Sequence, residues 1–465
     1  MTQSTTYANC SNLLYVVNIS RYAGMTDICY DLSQYGWDGC VISSDLKDIC
    51  ACLPTYRHLK SLKPAEKHGG TELYIPHRFF KHAGQEYMPV FKKGALSKDG
   101  GYAQFFKGKR AIFHPHADER TGVVNLKKAS NFSEIGIKEI VLNITADEDA
   151  ATPRMRSATY NEEINAIIYE AFLHGLLHKT LEQEGFPSAV PRMYDVVAFA
   201  NDIPDITDPT TVEKIWITME FINGRTLEKY LQDTLIRIPV GPIGPRVAAH
   251  LKMEKENEMI VLDCCIQLAF YLHILQTKLR FNHRDMKVNN VYVRHHEAAE
   301  GWSQTLTIPT LGSWKCRNDI VLIDFGFSCI SCGTGFANPR ATLVGAGSWF
   351  KNNHDCLKYG RDLAQFLYCL HCTFPLHQYI GQGLFDIIHS ALLADKSGKL
   401  TDLMMGVSIL GTPIPRVELP KTIVFNEGIY TFLRDNAVDV PGCHPYTFLK
   451  TIADYIHTNV RVALV

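Results

Sequence analysis

The stretch Phe281–Asn282–His283–Arg284–Asp285–Met286–Lys287–Val288–Asn289–Asn290 decides how this chain of 465 residues folds. It gathers a histidine, an arginine, an aspartate, a lysine and an asparagine into one short loop. Just upstream, Met259–Leu275 (MIVLDCCIQLAFYLHIL) is apolar nearly all round, broken only by Asp263, Gln267 and His273. A helix of that kind is buried in a large core or spans a membrane. Its polar interruptions and its length, short of a bilayer, favour burial. Downstream lies a second block, Ile320–Val321–Leu322–Ile323–Asp324–Phe325–Gly326, an apolar run closing on Asp-Phe-Gly. A solvated loop that follows a buried helix has no reason to carry these residue types at these spacings.

Read as His-Arg-Asp-x-Lys-x-x-Asn followed by Asp-Phe-Gly, the two blocks resemble the catalytic loop and metal-binding motif of eukaryotic-type protein kinases. The resemblance implies an α+β fold of two lobes, a β-rich small lobe and a mostly helical large lobe. It divides the chain into an N-terminal extension of unassigned role (1–88), the small lobe (89–222) and the large lobe (223–465). It implies transfer of the ATP γ-phosphate to a serine or threonine hydroxyl of a protein substrate, with Mg²⁺ as cofactor. Asp285 is then the catalytic base and Lys287 the cation that reaches the transferring phosphoryl group. Asn290 and Asp324 are the hard oxygen ligands that Mg²⁺ prefers. A lysine two residues after Asp285 resembles serine/threonine rather than tyrosine kinases. The run Ile323–Cys329, the Arg361-Asp362-Leu363 helix start and the lack of an Ala-Pro-Glu after Gly326 are similar to divergent kinases of large DNA viruses.

Working outward, Asn161–Gln183 is an amphipathic helix with apolar positions at Ile164, Ile167, Ile168, Phe172, Leu176 and Leu177. It resembles the regulatory helix of the small lobe, and Glu170 is the expected partner of an ATP-binding lysine. Val190–Ala200 reads as the next strand. Lys214–Leu231 gives a strand, an Asn-Gly break and a new helix, the pattern of the hinge between lobes. Met219 would guard the back of the adenine pocket, and the backbone of Glu220 and Ile222 would meet the adenine edge. Tyr359–Cys372 is helical, and Asp362 resembles the family's buried aspartate that tethers the catalytic loop; a carboxylate serving the helix dipole is the plain alternative. His283 takes a structural role. Arg284 is expected to meet a phosphate on Ser328, Ser331, Thr334, Thr342 or Ser348.

The small lobe departs from the pattern. Phe91–Phe106 (FKKGALSKDGGYAQFF) stands for the glycine-rich hairpin, with Gly94, Gly100 and Gly101 bringing backbone amides toward phosphates. For the lysine that pairs the α- and β-phosphates two registers compete. In the preferred one Ile140–Thr145 is the key strand, Val141 and Asn143 face the nucleotide, and Asn143 occupies the lysine's place. Lys93, Lys98 or Lys107 would then supply the missing charge. In the other, Val123–Lys128 is the strand and Lys127 the lysine.

Formal net charge is −1, which marks no bulk nucleic-acid binder. Neither a nucleic-acid nor a membrane partner is expected. The 14 cysteines are scattered without a disulfide framework or a secretory leader, which predicts a cytoplasmic, reducing setting. Zinc at Cys329–Cys332 with Cys369–Cys372, or metal at His295–His296–Glu297, is disfavoured against a buried helix face and a solvated loop. The alternatives kept open are a pseudokinase that binds nucleotide or serves as a scaffold, favoured by Asn143, and a kinase-fold enzyme acting on a small molecule.

Overall fold

The computed structural model describes residues 30–31, 41–42, 59–68, 71–82, 85–99, 103–117, 124–142, 153–200, 206–238, 247–296, 302–308, 311–331, 342–344, 357–393 and 439–460. Among these the fold is mixed α+β, with a closed seven-stranded β-barrel and six α-helices. Tyr30–Asp31 (β1) and Val41–Ile42 (β2) form a small separate pair.

The barrel is built from Lys60–His68 (β3), Thr71–Pro76 (β4), Gln85–Asp99 (β6), Gln104–Ala117 (β7), Ser133–Val141 (β9), Met193–Phe199 (β10) and Lys214–Glu220 (β11). Its ring order is β6-β4-β3-β10-β11-β9-β7, and pairing of β6 with β7 closes it. Phe80–His82 (β5) and Val124–Lys128 (β8) pair along its margins. The only parallel pairing in the ring is β3 with β10, where Val197 faces Lys60. A boundary at residue 88 therefore falls inside β6, and β3 and β4 upstream of it are staves of the same barrel.

Alternation along the strands sorts side chains to the inside or outside of the ring. Leu62, Phe91, Ile135, Ile137 and Trp216 pack inside it. Trp216 meets Phe199 and Tyr74 edge-on at centroid distances of 4.7 and 5.0 Å. The outward face of β9 carries Ile140, which packs with the helices that cover the barrel.

Those helices are Pro153–Gln183 (α1), Leu227–Thr234 (α2), Val247–Leu279 (α3), Arg361–Thr373 (α4), Gln382–Leu393 (α5) and Pro445–Tyr455 (α6). Within α1, Ile164, Ile167, Ile168, Phe172, Leu176 and Leu177 are all buried, as their spacing predicts. The span Ala248–Leu279 is long and apolar enough to cross a membrane by length and composition, and 83 % of its most apolar window is buried inside the protein. Asp263 on this helix is buried and accepts hydrogen bonds from Trp314 Nε1 (2.9 Å) and the backbone amide of Asn318 (3.0 Å). The segment following Arg294 thus forms a hairpin, Thr305–Ile308 (β15) with Gly312–Lys315 (β16), pinned to α3.

Two short sheets fix the loops that the sequence singled out. Gly224–Thr226 (β12), Val291–Arg294 (β14) and Asp319–Leu322 (β17) form one; Phe281–Asn282 (β13), Cys329–Ser331 (β18) and Thr342–Val344 (β19) form the other. The loop 283–290 joins β13 to β14, and the Asp-Phe-Gly loop joins β17 to β18. Because β13 pairs with β18 and β14 with β17, the two loops must lie side by side.

Candidate functional site

The loop Asn282–Asn290 is held from below by α4. Asp362 is fully buried and accepts hydrogen bonds from the backbone amides of His283 (2.8 Å) and Arg284 (2.9 Å) and from Asn282 Nδ2 (2.9 Å). Gln365 adds a bond from the Met286 amide (3.1 Å) to its Oε1 and donates to the Arg284 carbonyl (2.9 Å). The tether expected at Asp362 is present, and the exposed helix-dipole alternative is not. At the start of this helix Gly360 has φ +78°, and a Cβ there would lie 2.1 Å from the Val440 carbonyl oxygen, so only glycine fits.

Only Arg280, Arg284 and Asp324 are non-glycine residues with positive φ among the described residues. Left-handed backbone costs about 1–2 kcal/mol per L-residue, so it persists only where surrounding contacts over-determine it. Two of the three sit in the two motif loops. Arg284 is buried and donates through Nη1 to the Phe327 carbonyl (3.3 Å). Ser328, one of its expected phosphate acceptors, is buried with its hydroxyl donating to the His283 carbonyl (3.3 Å), so it is not presented for modification. Thr334 and Ser348 lie outside the described residues, as do the side chains of Ser331 and Thr342.

Within the loop, Asp285 Oδ2 accepts from Lys287 Nζ (2.9 Å) and Asn290 Nδ2 (2.8 Å), and Asn290 Nδ2 also reaches the Asp285 carbonyl (2.9 Å). The carboxylate is thereby oriented, and Asn290 Oδ1 is left as an acceptor. Beside it, Phe325 is buried between two imidazoles, with ring centroids 5.4 Å from His283 and 5.1 Å from His174 of α1. His283 Nε2 donates to the Ile323 carbonyl (3.0 Å) and His174 Nε2 to the Pro191 carbonyl (2.7 Å). Burial lowers the His174 pKa to about 3, so its ring is neutral and packs as an aromatic.

The cation of the site is Lys138, on β9. Its ammonium pairs with buried Glu170 of α1 and with Asp324 Oδ1 at 3.2 Å. Burial works against the charged ammonium, but Glu170 and then Asp324 outweigh it and hold its pKa above the usual lysine range. Asp324 is the converse: burial pushes its carboxyl up, Lys138 outweighs that, and the group sits below the usual carboxylate range. Glu170 is held above the usual range, because burial exceeds the attraction of Lys138. The register with Asn143 in this place, and the one with Lys127, are both replaced. Lys127 lies exposed on the margin strand β8, Val141 is 47 % exposed at the end of β9, and Asn143 lies outside the described residues.

The reason is local. In Ser133–Val141 the side chains of Ile135 and Ile137 enter the barrel, while Gly136 and Lys138 face away from it. Ile135-Gly136-Ile137-Lys138 has the form of a Val-Ala-Ile-Lys strand ending, and this was the signal to find. Two of the three cations offered as substitutes are engaged elsewhere, Lys93 with Glu139 (2.9 Å) and Lys107 with Glu134 (2.8 Å), and the side chain of Lys98 lies outside the described residues.

Lys138, Glu170, Asn290 and Asp324 line one cleft of about 190 Å³. Met219, Glu220 and Ile222 form another of its walls, and Phe105, Phe106 and Ser97 come from the β6–β7 hairpin. The Glu220 amide donates to the Arg192 carbonyl (2.7 Å) and its side chain pairs with Arg294, so both of these groups are already engaged. Gly94 lies on the same hairpin, where a Cβ would fall 2.0 Å from the Lys107 carbonyl oxygen; Gly100 and Gly101 lie outside the described residues. The larger cavity of about 690 Å³ lies around Arg225, Trp302 and Arg317, and contains none of the residues of the loop 283–290. There His296 donates to Asp319 (2.7 Å) and stacks on Trp302, a structural use of the His-His-Glu stretch. Among the described residues no cluster of histidine, cysteine or acidic side chains is arranged to hold a metal on its own. Cys369 and Cys372 are free thiols on α4, raised by burial, and Cys372 reaches about 12. The sequence matches no protein-family model and no curated protein.

Proposed function

We propose that this chain is a phosphotransferase of the protein-kinase class, with the barrel and α1 as its small lobe and the remaining helices as its large lobe. Its reaction is transfer of the ATP γ-phosphate to a serine or threonine hydroxyl of a protein. The observation that carries this reading is the convergence of Lys138, Glu170, Asn290 and Asp324 on one cleft from four separate segments of chain. A buried lysine paired with one carboxylate from a helix and another from an Asp-Phe-Gly loop is costly to build. It answers the need of phosphoryl transfer for a fixed cation beside metal-binding oxygens. Lys138 also removes the argument for a pseudokinase that rested on Asn143.

In this reading Lys138, oriented by Glu170, faces the α- and β-phosphates, and the wall from Met219 to Ile222 receives the adenine. Asn290 Oδ1 and the Asp324 carboxylate fit Mg²⁺, being hard oxygen donors on one cleft, with Asp324 kept ionised by Lys138. Mg²⁺, when bound, neutralises charge on the phosphate oxygens. Asp285 accepts the proton of the attacking hydroxyl; Lys287 and Asn290 hold its carboxylate toward that task.

The test is transfer of labelled γ-phosphate from Mg·ATP to the protein itself and to basic and acidic acceptor proteins. Label is expected with the unsubstituted protein and is lost in Asp285→Asn and Asp324→Ala. Equal labelling by all three would refute the assignment. Binding of ATP without transfer to any protein, but with transfer to small hydroxyl metabolites, would move the substrate class.

A further inference from the structure

We infer that Glu139 is a positioning residue that aims Lys138 into the cleft from the opposite side of the same strand. The inference rests on the kinase reading, and it concerns a carboxylate which that reading leaves without a role. Successive side chains on a strand point to opposite faces. Lys138 enters the cleft, so Glu139 enters the barrel, where it is 5 % exposed.

There it is the meeting point of the strands around the site. Its two oxygens lie 3.0 and 2.9 Å from Lys93 Nζ of β6. Trp216 Nε1 of β11 donates to Oε2 at 2.7 Å, and Lys214 Nζ lies 3.3 Å from the same atom. Burial pushes the carboxyl pKa up, but Lys93 and Trp216 outweigh it and keep it below the usual range, so the group is ionised. Lys93 immediately precedes Gly94 of the hairpin over the cleft, and its ammonium crosses β7 above the Phe106 ring at 3.7 Å. Lys214 and Trp216 stand on the strand that ends in Met219 and Glu220.

One carboxylate thus ties the hairpin strand, the lysine strand and the wall strand together behind Lys138. Rotation of β9 about its axis would swing Lys138 away from Glu170, and Glu139 is the charged anchor that opposes it. Replacing Glu139 by an uncharged residue leaves the Lys93 and Lys214 ammoniums facing the same point without their shared counter-charge.

Lys138 reaches phosphate and not base or ribose, which supplies the test. Affinities of Mg·ADP and of adenosine are measured by calorimetry for the unsubstituted protein, Glu139→Gln and Trp216→Phe, with thermal unfolding of each. For Glu139→Gln, Mg·ADP is expected to weaken about tenfold, the scale of a charge-assisted bond, while adenosine stays within about twofold. Trp216→Phe removes one neutral donor and is expected to weaken Mg·ADP about threefold with adenosine again unchanged. Equal loss of both ligands, or folded variants that bind Mg·ADP as the unsubstituted protein does, would overturn the inference. If the unsubstituted protein binds neither ligand, the kinase reading itself falls and takes the inference with it, an outcome distinct from the other two.

Discussion

Lys138→Met should destabilise the fold strongly, and adding Glu170→Leu should restore it without restoring ligand binding. Lys138 and Glu170 have side chains about 5 % exposed. Removing one member of such a pair leaves an uncompensated buried charge, which costs about 3–5 kcal/mol. Replacing the whole pair by apolar residues is often neutral or stabilising, so the double variant should return to within about 1–2 kcal/mol of the unsubstituted protein. Asp324 loses its cation in both variants, but its side chain is 38 % exposed and water can solvate it. The pH dependence carries a sign. In the single variant Glu170 keeps its burial and loses its cation, so its folded pKa moves further above the unfolded value of about 4.3. The native state then binds a proton that the unfolded state releases, and stability rises as pH falls. In the unsubstituted protein the raised pKa of Lys138 contributes stability that is fully present below about 10.4 and lost only as pH rises through the folded pKa. The lowered pKa of Asp324 contributes stability present above about 3.9 and lost as pH falls through its folded pKa. Neither changes between pH 5 and 8 in the unsubstituted protein, so the difference between the two proteins in that window reports the two carboxylates that lose their cation, Glu170 first and the more exposed Asp324 second. Urea unfolding at pH 8 and pH 5 measures all of this. A single variant with the unsubstituted midpoint at pH 8, or a double variant no more stable than the single, would refute the reasoning.

Asp362→Ala strips three hydrogen bonds from the base of the loop 283–290 and leaves two buried backbone amides unpaired. At about 1–3 kcal/mol per orphaned donor the loss should exceed about 2 kcal/mol in urea unfolding, and a loss under about 1 kcal/mol would show that water replaces the carboxylate. His174→Phe loses the bond to the Pro191 carbonyl, about 1 kcal/mol at pH 8. Its ring, neutral down to about pH 3, must gain a proton to unfold in acid. That lowered pKa costs the unsubstituted protein stability as pH falls below about 6.5, so the deficit of the variant should narrow or reverse by pH 5, and a constant gap would contradict it. Gly360→Ala should destabilise by more than the exposed control Gly185→Ala in thermal unfolding. Both glycines have positive φ, but only at Gly360 would a Cβ meet backbone, at 2.1 Å.

The helical part of the molecule was legible because its signals are local. The apolar run Met259–Leu275 lies within α3, Tyr359–Cys372 overlaps α4 almost throughout, and the periodicity of Asn161–Gln183 marks the buried side of α1. Glu170 could be picked from that helix because burial of its neighbours fixes which side faces inward. The two motif loops were found by residue type and order. Their adjacency follows from strand pairing over long sequence distances and could not be read from either loop alone.

The barrel resisted the same treatment for a physical reason. Hydropathy reads Lys93, Lys138, Glu139 and Lys214 as solvated positions, and a strand containing Lys138-Glu139 looks interrupted. The apolar stretch Ile140–Thr145 therefore looked like the better strand, although β9 ends at Val141. Closure of the sheet by β3 and β4 changes the environment of Lys93, Glu139 and Lys214, because it makes an inside where a flat sheet would have a wet face. Inside that ring Lys93 and Lys214 survive with Glu139, Arg110 with fully buried Asp195 at 2.6 Å, and Lys60 on the Phe79 carbonyl. Just outside it, Lys138 survives with Glu170. Lys138, whose sequence neighbours suggest surface, is thus buried not by the ring but by α1, whose Glu170 lies 32 residues further along the chain, and the cation of the cleft becomes visible only once that helix is laid against β9.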